Sequence, residues 1–186
     1  MKFVNYYTNS VCNNSNVSLG FFTRQKGFSK NNFSSLNCSY SSGDKEIDVS
    51  QNIKKAFKTI VPVKTKQLKL INQIHSRNVF LVNKTNILEK FSGDGIITKD
   101  RDISIAVLTA DCCPIFLYDD DSSFISCLHA GWKGCYLNII ENALDQIKVI
   151  QNSTKKINAI IGPCLQSKYF EVNKDFKDKF LLINIQ

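Results

Sequence analysis

Two apolar runs separated by five polar residues place the strongest constraint on how this chain folds. The runs cover residues 115–118 and 124–128, and the Asp-Asp-Asp-Ser-Ser segment between them has turn composition. This pattern predicts a β-hairpin with its tip near Asp121. Cys112 then lies nine residues before the tip and His129 eight residues after it, so both lie at the open end. Because adjacent strands are about 4.8 Å apart, the two side chains can bind one metal ion.

His75 is the other of the two histidines in the sequence and the third candidate ligand. Three protein ligands with an open fourth position is the arrangement of catalytic zinc sites. Each histidine also ends an apolar run beside polar residues, so two hydrogen-bonded structural histidines are the alternative interpretation. Cys113 is a candidate in place of Cys112, but in extended backbone its side chain points to the opposite face.

The rest of the chain mixes helical and strand patterns without regular βαβ alternation. Apolar residues recur at helical spacing in three segments, the first of them limited by Pro62, over residues 49–59, 135–150 and 172–181. Short apolar runs predict further strands at residues 19–24, 68–73, 79–82, 96–98, 103–108 and 157–161. This order predicts an α+β fold, a layered mixed β-sheet sandwich with flanking helices. A chain of 186 residues, 43% of them hydrophobic, fits a single domain covering residues 1–186.

Composition also bears on the cellular compartment. The chain has no apolar run of about 18 residues, so we expect no membrane-spanning helix. The first residues soon turn polar and lack the apolar stretch of a secretory signal. Seven cysteines are an odd number, which favours reduced thiols over a disulfide framework. Together these features predict a cytoplasmic protein.

The net charge of +8 raises the question of nucleic-acid binding. The densest lysine stretch, residues 54–69, carries six lysines interspersed with apolar residues. That spacing is typical of a solvated helix face, so we expect no nucleic-acid partner. A basic surface still favours anionic substrates such as phosphate.

The segment His-Ala-Gly-Trp-Lys-Gly, residues 129–134, is a candidate anion site. A glycine-bearing turn that enters a helix near Cys135 presents unpaired backbone N–H groups, which bind anions. Lys133 adds a positive charge. The alternative interpretation is that Gly131 and Gly134 only allow tight packing around Trp132.

Two aspartates are candidate proton carriers or hydrogen-bond partners of the histidines. Asp94 precedes a predicted strand, and Asp111 lies directly before Cys112. Aspartate at such positions also serves as a turn or capping residue, so the residues alone leave the role open.

Several short motifs together resemble the laccase-domain (multicopper polyphenol oxidase) family from about residue 20 to about residue 180. An N-terminal Phe-Phe-Thr-Arg segment, residues 21–24, is similar to the signature of that family. The later motifs follow in the family's order: Gln-Ile-His-Ser from residue 73, Asp-Gly-Ile-Ile-Thr from 94, Thr-Ala-Asp-Cys from 109, the segment 129–134, and Ile-Gly-Pro-Cys from 161.

The resemblance implies a function. Members of this family act as purine nucleoside phosphorylases that release ribose 1-phosphate from adenosine, inosine and methylthioadenosine, with adenosine deaminase activity as well. It implies Zn²⁺ bound by His75, Cys112 and His129, and purine nucleosides and phosphate as substrates. On this basis Arg24, Lys133 and Gly131 are candidate substrate contacts. Cys112, Asp111 and Asp94 are candidate catalytic residues.

Alternative functions remain open. The family's older name implies a copper oxidase, but the chain has two histidines and no methionine other than Met1, so we treat copper as the weaker alternative. A cysteine hydrolase would use Cys112 or Cys164 with His129 as the base. Family members typically continue well beyond this chain's last residue, so a C-terminally truncated, weakly active or inactive remnant is another expectation. Proofreading of cell-wall precursors is a further alternative, and we expect a monomer or homodimer.

Overall fold

The computed structural model describes residues 6–7, 17–60, 67–151 and 156–183, and all structural statements refer to these ranges. The helices are α1 Glu46–Ile60, α2 Trp132–Tyr136, α3 Ile139–Gln151 and α4 Phe176–Ile183. The strands are β1 Tyr6–Tyr7, β2 Phe21–Phe22, β3 Gln67–Lys69, β4 Val79–Val82, β5 Gly95–Thr98, β6 Ile103–Ile105, β7 Cys113–Asp119, β8 Ile125–Ala130 and β9 Ile157–Ile161.

A five-stranded sheet in the order β4-β5-β8-β7-β9 forms the centre of the protein. Strands β4 and β5 pair in parallel, whereas β5–β8, β8–β7 and β7–β9 are antiparallel. Two smaller sheets pair β1 with β2 and β3 with β6. The predicted α+β class with a mixed sheet is therefore confirmed.

The predicted hairpin is present with its tip near Asp121. In the β7–β8 register, Ile115 lies opposite Leu128 and Pro114 lies opposite His129. Cys112 is the residue directly before β7. The open end of the hairpin therefore brings Cys112 and His129 together, as the spacing predicted.

The central sheet has an apolar core on each face. On one face, Ile97 and Leu128 pack with Ile139, Ala143 and Ile147 of α3. On the other face, Ile96 and its neighbours pack with Ile103 of the small β3–β6 sheet. Neighbouring residues such as Ile96 and Ile97 face opposite cores because side chains alternate along a strand. These layers agree with the predicted layering of sheets and helices.

The prediction of one continuous helix over residues 135–150 is wrong. It consists of α2 and α3, separated at Asn138, whose φ of 62° is left-handed and incompatible with an α-helix. The first predicted helix begins three residues earlier, at Glu46, where acidic Glu46 and Asp48 suit the positive end of the helix dipole. The last helix begins at Phe176 and not at residue 172. Pro62 lies outside the described residues.

Three predicted strands are shorter than their apolar runs: 19–24 is reduced to β2, 68–73 to β3 and 103–108 to β6. Beyond the ends of β3 and β6, the two segments are joined by the side-chain amide of Gln73, which pairs with the backbone of Leu108 in place of strand–strand hydrogen bonds. Lys69 also departs from the expected solvated lysine face. Its side chain is buried and donates to the Ile87 and Glu89 carbonyls. Among the described helices, none is long and apolar enough to cross a bilayer.

Candidate metal centre

Three candidate ligands from three segments meet at the open end of the β7–β8 hairpin. The ligand atoms of His75, Cys112 and His129 all lie within 4.8 Å of one another. Cys112 Sγ is 3.9 Å from His75 Nε2. The two imidazole rings pack edge to face with centroids 4.8 Å apart. The fold thus assembles a group of side chains that can hold a metal ion.

The separations suit a metal ion after small side-chain movements. Zinc bonds of about 2.1 Å to nitrogen and about 2.3 Å to sulfur place tetrahedral ligands roughly 3.5 Å apart. The upper limit of 4.8 Å among these ligand atoms exceeds that spacing by about 1 Å. Two imidazoles and one thiolate leave a fourth position for substrate or water, as in catalytic zinc sites. The same donors also bind copper, but the residues that the structure describes include no methionine that could serve as the axial ligand of most blue-copper sites.

His129 is held by regular structure. It lies in β8 with its backbone in the ladder opposite Pro114, and its side chain is buried. Its Nδ1 lies 2.8 Å from Asp94 Oδ1. A hydrogen bond from Nδ1–H to the carboxylate leaves Nε2 as the metal-binding nitrogen, a common way of orienting a histidine ligand.

His75 is held by a loop. It is exposed and has a left-handed φ of 56°, an uncommon conformation for a residue with a side chain. Its backbone N–H donates to Asp94 Oδ1 at 3.0 Å. Because no strand ladder holds this residue, its position depends on the side chains that bind its loop.

Asp94 connects the two histidines. Its carboxylate is buried and accepts hydrogen bonds from the backbone N–H groups of Ile74, His75 and Ser76, from the Ser76 hydroxyl and from His129. Burial alone would raise the pKa of Asp94, but the hydrogen bonds outweigh it and hold the pKa below its ordinary value. The carboxylate is thus kept ionised, and both of its oxygens accept hydrogen bonds. This favours a role for Asp94 as the hydrogen-bond partner of the histidines over a role as a proton carrier.

Gln73 joins the His75 loop to the segment that leads to Cys112. Its Nε2 donates to the Leu108 carbonyl at 2.7 Å, and its Oε1 accepts from the Leu108 N–H at 2.7 Å. Gln73 is the first residue of the Gln-Ile-His-Ser motif, and no role was predicted for it from the sequence. Its position two residues before the candidate ligand His75 is the sequence signal that could have indicated a role in holding the His75 loop.

Gly131 lies against two of the ligands. A Cβ added at this residue would be 3.0 Å from Cys112 Sγ and 3.0 Å from His75 Cδ2. A Cβ at Gly134 would be 3.1 Å from the Ser76 carbonyl oxygen. Both contacts support the close-packing interpretation of the two glycines, with Gly131 packed against the metal ligands as well as beside Trp132.

Burial and nearby charges raise the pKa of two thiols in this region, Cys112 and Cys113. Burial raises the pKa of Cys112, and the nearby Asp111 carboxylate raises it further. Burial also raises the pKa of Cys113 to about 12. Metal binding at Cys112 therefore has to displace a proton. Cys113 packs against the core formed with α3, whereas the Cys112 Sγ lies 3.9 Å from His75 Nε2.

The remaining predicted residues lie outside the ligand group. Asp111 and Lys133 are exposed neighbours of Cys112 and Gly131. The Arg24 guanidinium donates through Nε and Nη2 to the Ser34 carbonyl, at 3.0 and 2.7 Å. Within the described ranges, the contacts of Arg24 tie it to its own loop and none joins it to a metal ligand. Its role as a substrate contact stays a prediction.

Comparison with known proteins places this site in a family context. The family model described as multi-copper polyphenol oxidoreductase laccase matches residues 18–185, nearly the whole chain. The chain belongs to this family. The resemblance predicted from the motifs is therefore confirmed.

Proteins similar to this chain in sequence carry a different functional name. A protein of Rickettsia conorii named purine nucleoside phosphorylase is 32% identical over 136 residues, 73% of this chain and 54% of its own length. A protein of the same name from Bacteroides thetaiotaomicron is 29% identical over 180 residues, 92% of this chain and 66% of its own length. The chain thus spans about half to two thirds of the length of these relatives.

Solved structures share the fold. A Neisseria meningitidis protein superposes with a TM-score of 0.80 at 28% identity, covering 96% of this chain and 71% of its own. A Bacillus licheniformis hypothetical protein superposes with a TM-score of 0.78 at 28% identity, covering 86% of this chain and 63% of its own. The α+β architecture that positions the three ligands is therefore that of the family.

Proposed function

We propose that this chain is a zinc-dependent purine nucleoside phosphorylase that converts adenosine, inosine or methylthioadenosine and phosphate into the free base and ribose 1-phosphate. The observation that carries the proposal is the convergence of His75, Cys112 and His129 within 4.8 Å in a chain whose relatives bear that enzyme's name. Since the chain spans only part of those relatives, the activity of the whole protein is part of the proposal.

In phosphorolysis, a phosphate oxygen forms a bond to C1′ of the ribose as the C1′–N9 bond to the purine breaks. The departing base then takes up a proton. A zinc ion held by His75, Cys112 and His129 would supply a Lewis acid next to the substrate. We assign three predicted residues to substrate: the exposed Lys133 to the phosphate, the Gly131 turn to the substrate's close approach, and Arg24 to an anionic or ribose group.

The two aspartates take different roles in this proposal. Asp94 holds His129 and the His75 loop through its hydrogen bonds, so it positions both imidazoles. Asp111 is exposed beside Cys112 and is the remaining candidate for moving a proton to or from substrate. Adenosine deaminase activity at the same site is a second part of the proposal and would need this proton transfer.

The direct test incubates the metal-quantified 186-residue chain with adenosine and phosphate and separates the products by chromatography. Adenine with ribose 1-phosphate indicates phosphorolysis, whereas inosine indicates deamination. Cys112→Ala should lose bound zinc and both activities. Cys135→Ala, which removes an exposed thiol outside the ligand group, is the matched control and should keep them. Full activity in metal-free protein contradicts the proposal, and zinc binding without turnover indicates an inactive remnant.

A second candidate is a cysteine hydrolase, because Cys112 Sγ lies 3.9 Å from an imidazole nitrogen of His75. The raised pKa of Cys112 opposes this alternative, since a nucleophilic cysteine usually has a lowered pKa. Addition of a chelator separates the two functions: a thiol–imidazole hydrolase keeps its activity and a zinc enzyme loses it. A copper oxidase would show oxygen consumption with a phenol after copper loading, which the zinc proposal does not predict.

A further inference from the structure

An aromatic cluster lies beside the turn that touches the metal ligands. Trp132, the first residue of α2, packs against Phe176 of α4 with ring centroids 5.0 Å apart. By the same measure, the Phe180 ring lies 5.6 Å from Trp132 and 4.8 Å from Tyr136. The Phe170 ring lies 5.9 Å from that of Phe176. Within the described ranges, these five side chains form one connected group that joins α2 to α4.

The outer part of this aromatic cluster is exposed. Trp132 exposes 36% of its surface and Phe170 exposes 43%, and the neighbouring Tyr169 exposes 62%. Large aromatic side chains are mostly buried in soluble proteins, and apolar surface that is exposed in one place marks a binding site more often than scattered single residues do. The exposed rings of Trp132 and Phe170 are therefore candidates for contact with a ligand.

Trp132 is tied to the metal centre through Gly131. A Cβ added at Gly131 would lie 3.0 Å from both Cys112 Sγ and His75 Cδ2. Consecutive Cα atoms are about 3.8 Å apart, so the Trp132 backbone begins one residue away from this contact. His75 is exposed as well, so solvent reaches both the ligand group and the indole. A molecule of nucleoside size at the metal centre therefore lies within reach of Trp132.

Phe170 approaches the same place from the end of β9. The Leu165 N–H donates to the Asp111 carbonyl at 2.9 Å, and Asp111 directly precedes Cys112. Tyr169 and Phe170 follow four and five residues after Leu165. The exposed aromatic rings thus come from two segments that each adjoin the loop of the metal ligands.

Exposed aromatic rings of this kind recognise flat ring systems. Stacking on aromatic side chains binds nucleobases without any charge, because every base has a π face. Ribose and phosphate have no such face and are bound through polar or charged groups. The aromatic cluster consists of tryptophan, tyrosine and phenylalanine, none of which carries a charge at pH 7. The cluster therefore suits the base of a nucleoside and not its sugar or its phosphate.

We propose that the exposed surface of Trp132 and Phe170 binds the purine base of the substrate by stacking, beside the metal centre. This inference rests on the proposed function and deepens it, since it assigns the base to one side of that site. A purine is preferred to a pyrimidine because its fused rings offer more area for stacking. The ribose and the phosphate then face the metal ligands.

Packing of α4 against α2 is the other role that the aromatic cluster could have. The Tyr136 hydroxyl donates to the Phe180 carbonyl at 2.9 Å, so these two residues hold the helices together. Packing accounts for the inner members of the cluster. It does not account for the exposed rings of Trp132 and Phe170, which add little to the contact between the helices.

The first test uses the fluorescence of Trp132, the only tryptophan in the chain. The zinc-loaded chain is titrated with adenine in the absence of phosphate, with excitation at the red edge of the indole band, where purines do not absorb. We expect saturable quenching by adenine, weaker quenching by uracil and none by ribose 1-phosphate. Absence of saturable adenine binding overturns the proposal, as does equal binding of adenine and uracil.

Two substitutions at Trp132 separate stacking from packing. Trp132→Phe keeps an aromatic ring, whereas Trp132→Leu keeps an apolar side chain without one. By titration calorimetry, we expect the leucine variant to bind adenine roughly 5- to 100-fold more weakly than the unsubstituted chain, and the phenylalanine variant to recover most of that loss. Equal adenine affinity in the leucine variant and the unsubstituted chain overturns the proposal.

A matched control changes the inner part of the cluster. Tyr136→Phe removes the hydrogen bond to the Phe180 carbonyl and should lower the free energy of unfolding while leaving adenine affinity unchanged. Circular dichroism checks that each variant is folded. Phe170→Leu, at an exposed position, replaces Trp132→Leu if that variant does not fold, and should also weaken adenine binding. Unchanged affinity in this variant would then overturn the proposal.

Turnover distinguishes this inference from the proposed function. In an active chain, Trp132→Leu should raise the KM for adenosine more than it lowers kcat. Adenine binding that depends on Trp132 in a chain without turnover supports base stacking and contradicts the proposed activity. Turnover with adenine affinity that does not depend on Trp132 supports the activity and overturns base stacking.

Discussion

Each end of the β7–β8 hairpin contains a buried aspartate that accepts hydrogen bonds from a serine, but the two aspartates differ in their other partners. At the tip, the buried Asp119 carboxylate accepts from the N–H and hydroxyl of Ser123 and from Gln151. At the open end, the buried Asp94 carboxylate accepts from the N–H and hydroxyl of Ser76, from neighbouring N–H groups and from His129.

The difference lies in the partners. Asp119 binds groups of its own turn and of the end of α3, so it closes a turn and joins it to a helix. The Asp94 carboxylate accepts hydrogen bonds from the side chain of His129 and from the backbone N–H of His75. A buried aspartate with saturated oxygens is therefore not in itself a sign of function. The identity of the donors makes one end a candidate metal centre and the other a structural turn.

Asp94→Asn should have the largest effect. The asparagine amide keeps one acceptor oxygen but replaces the other with an NH₂ group. The buried N–H and O–H groups that donate to that second oxygen in Asp94 then lose their acceptor. We expect the free energy of unfolding to fall by about 3 kcal/mol and zinc affinity to fall about 10- to 100-fold. Urea unfolding followed by Trp132 fluorescence measures the first, and chelator competition measures the second.

Asp119→Asn at the hairpin tip is the matched control for that variant. It should also lower the free energy of unfolding, because buried donors again lose an acceptor. Zinc affinity of the folded protein should not change. An equal loss of zinc affinity in both variants would contradict the distinction between the two ends.

Gly131→Ala should perturb the ligands more than the fold. Its φ of −72° accepts alanine, but the added methyl group would lie 3.0 Å from both Cys112 Sγ and His75 Cδ2. Overpacking of this kind costs about 1–3 kcal/mol. We expect weaker zinc binding by chelator competition with a small loss of stability. Lys133→Ala in the same turn, whose side chain is exposed, should bind zinc as the unsubstituted chain does.

Gln73→Ala tests the link between the His75 and Cys112 segments. Loss of two hydrogen bonds to Leu108 should lower the free energy of unfolding by about 1–2 kcal/mol and weaken zinc binding. The comparison variant is Gln146→Ala, which removes a hydrogen bond to the Val79 carbonyl outside the site. It should lower stability in urea unfolding and leave zinc affinity unchanged; a loss of affinity there would remove the case for a specific role of Gln73.

Ser76→Ala should have the smallest effect. It removes the hydroxyl hydrogen bond to Asp94, but the Ser76 N–H still donates to the same carboxylate. We expect a loss of about 1 kcal/mol or less and a modest decrease in zinc affinity. Ser123→Ala removes the equivalent hydroxyl at the tip and should leave zinc affinity unchanged in the same titration. Equal affinities in the two variants would show that this hydroxyl does not support the His75 loop.

The amino-acid pattern by itself determined the hairpin, the α+β class and the approach of Cys112 to His129. These depend on local signals, namely a polar turn between two apolar runs and the alternation of side chains along strands. The same local reasoning placed Cys113 on the opposite face from Cys112. It also extended one helix through Asn138, because helical spacing of apolar residues carries no information about a left-handed φ at a single residue.

Only the tertiary structure decided how His75 joins the site. His75 lies in a loop 37 residues before Cys112, and no periodicity predicts where such a loop returns. Its position depends on long-range hydrogen bonds: the His75 N–H donates to Asp94, and Gln73, two residues earlier, pairs with the backbone of Leu108. Local composition specifies strands and turns, whereas the meeting of distant segments is set by the packing of the whole sheet.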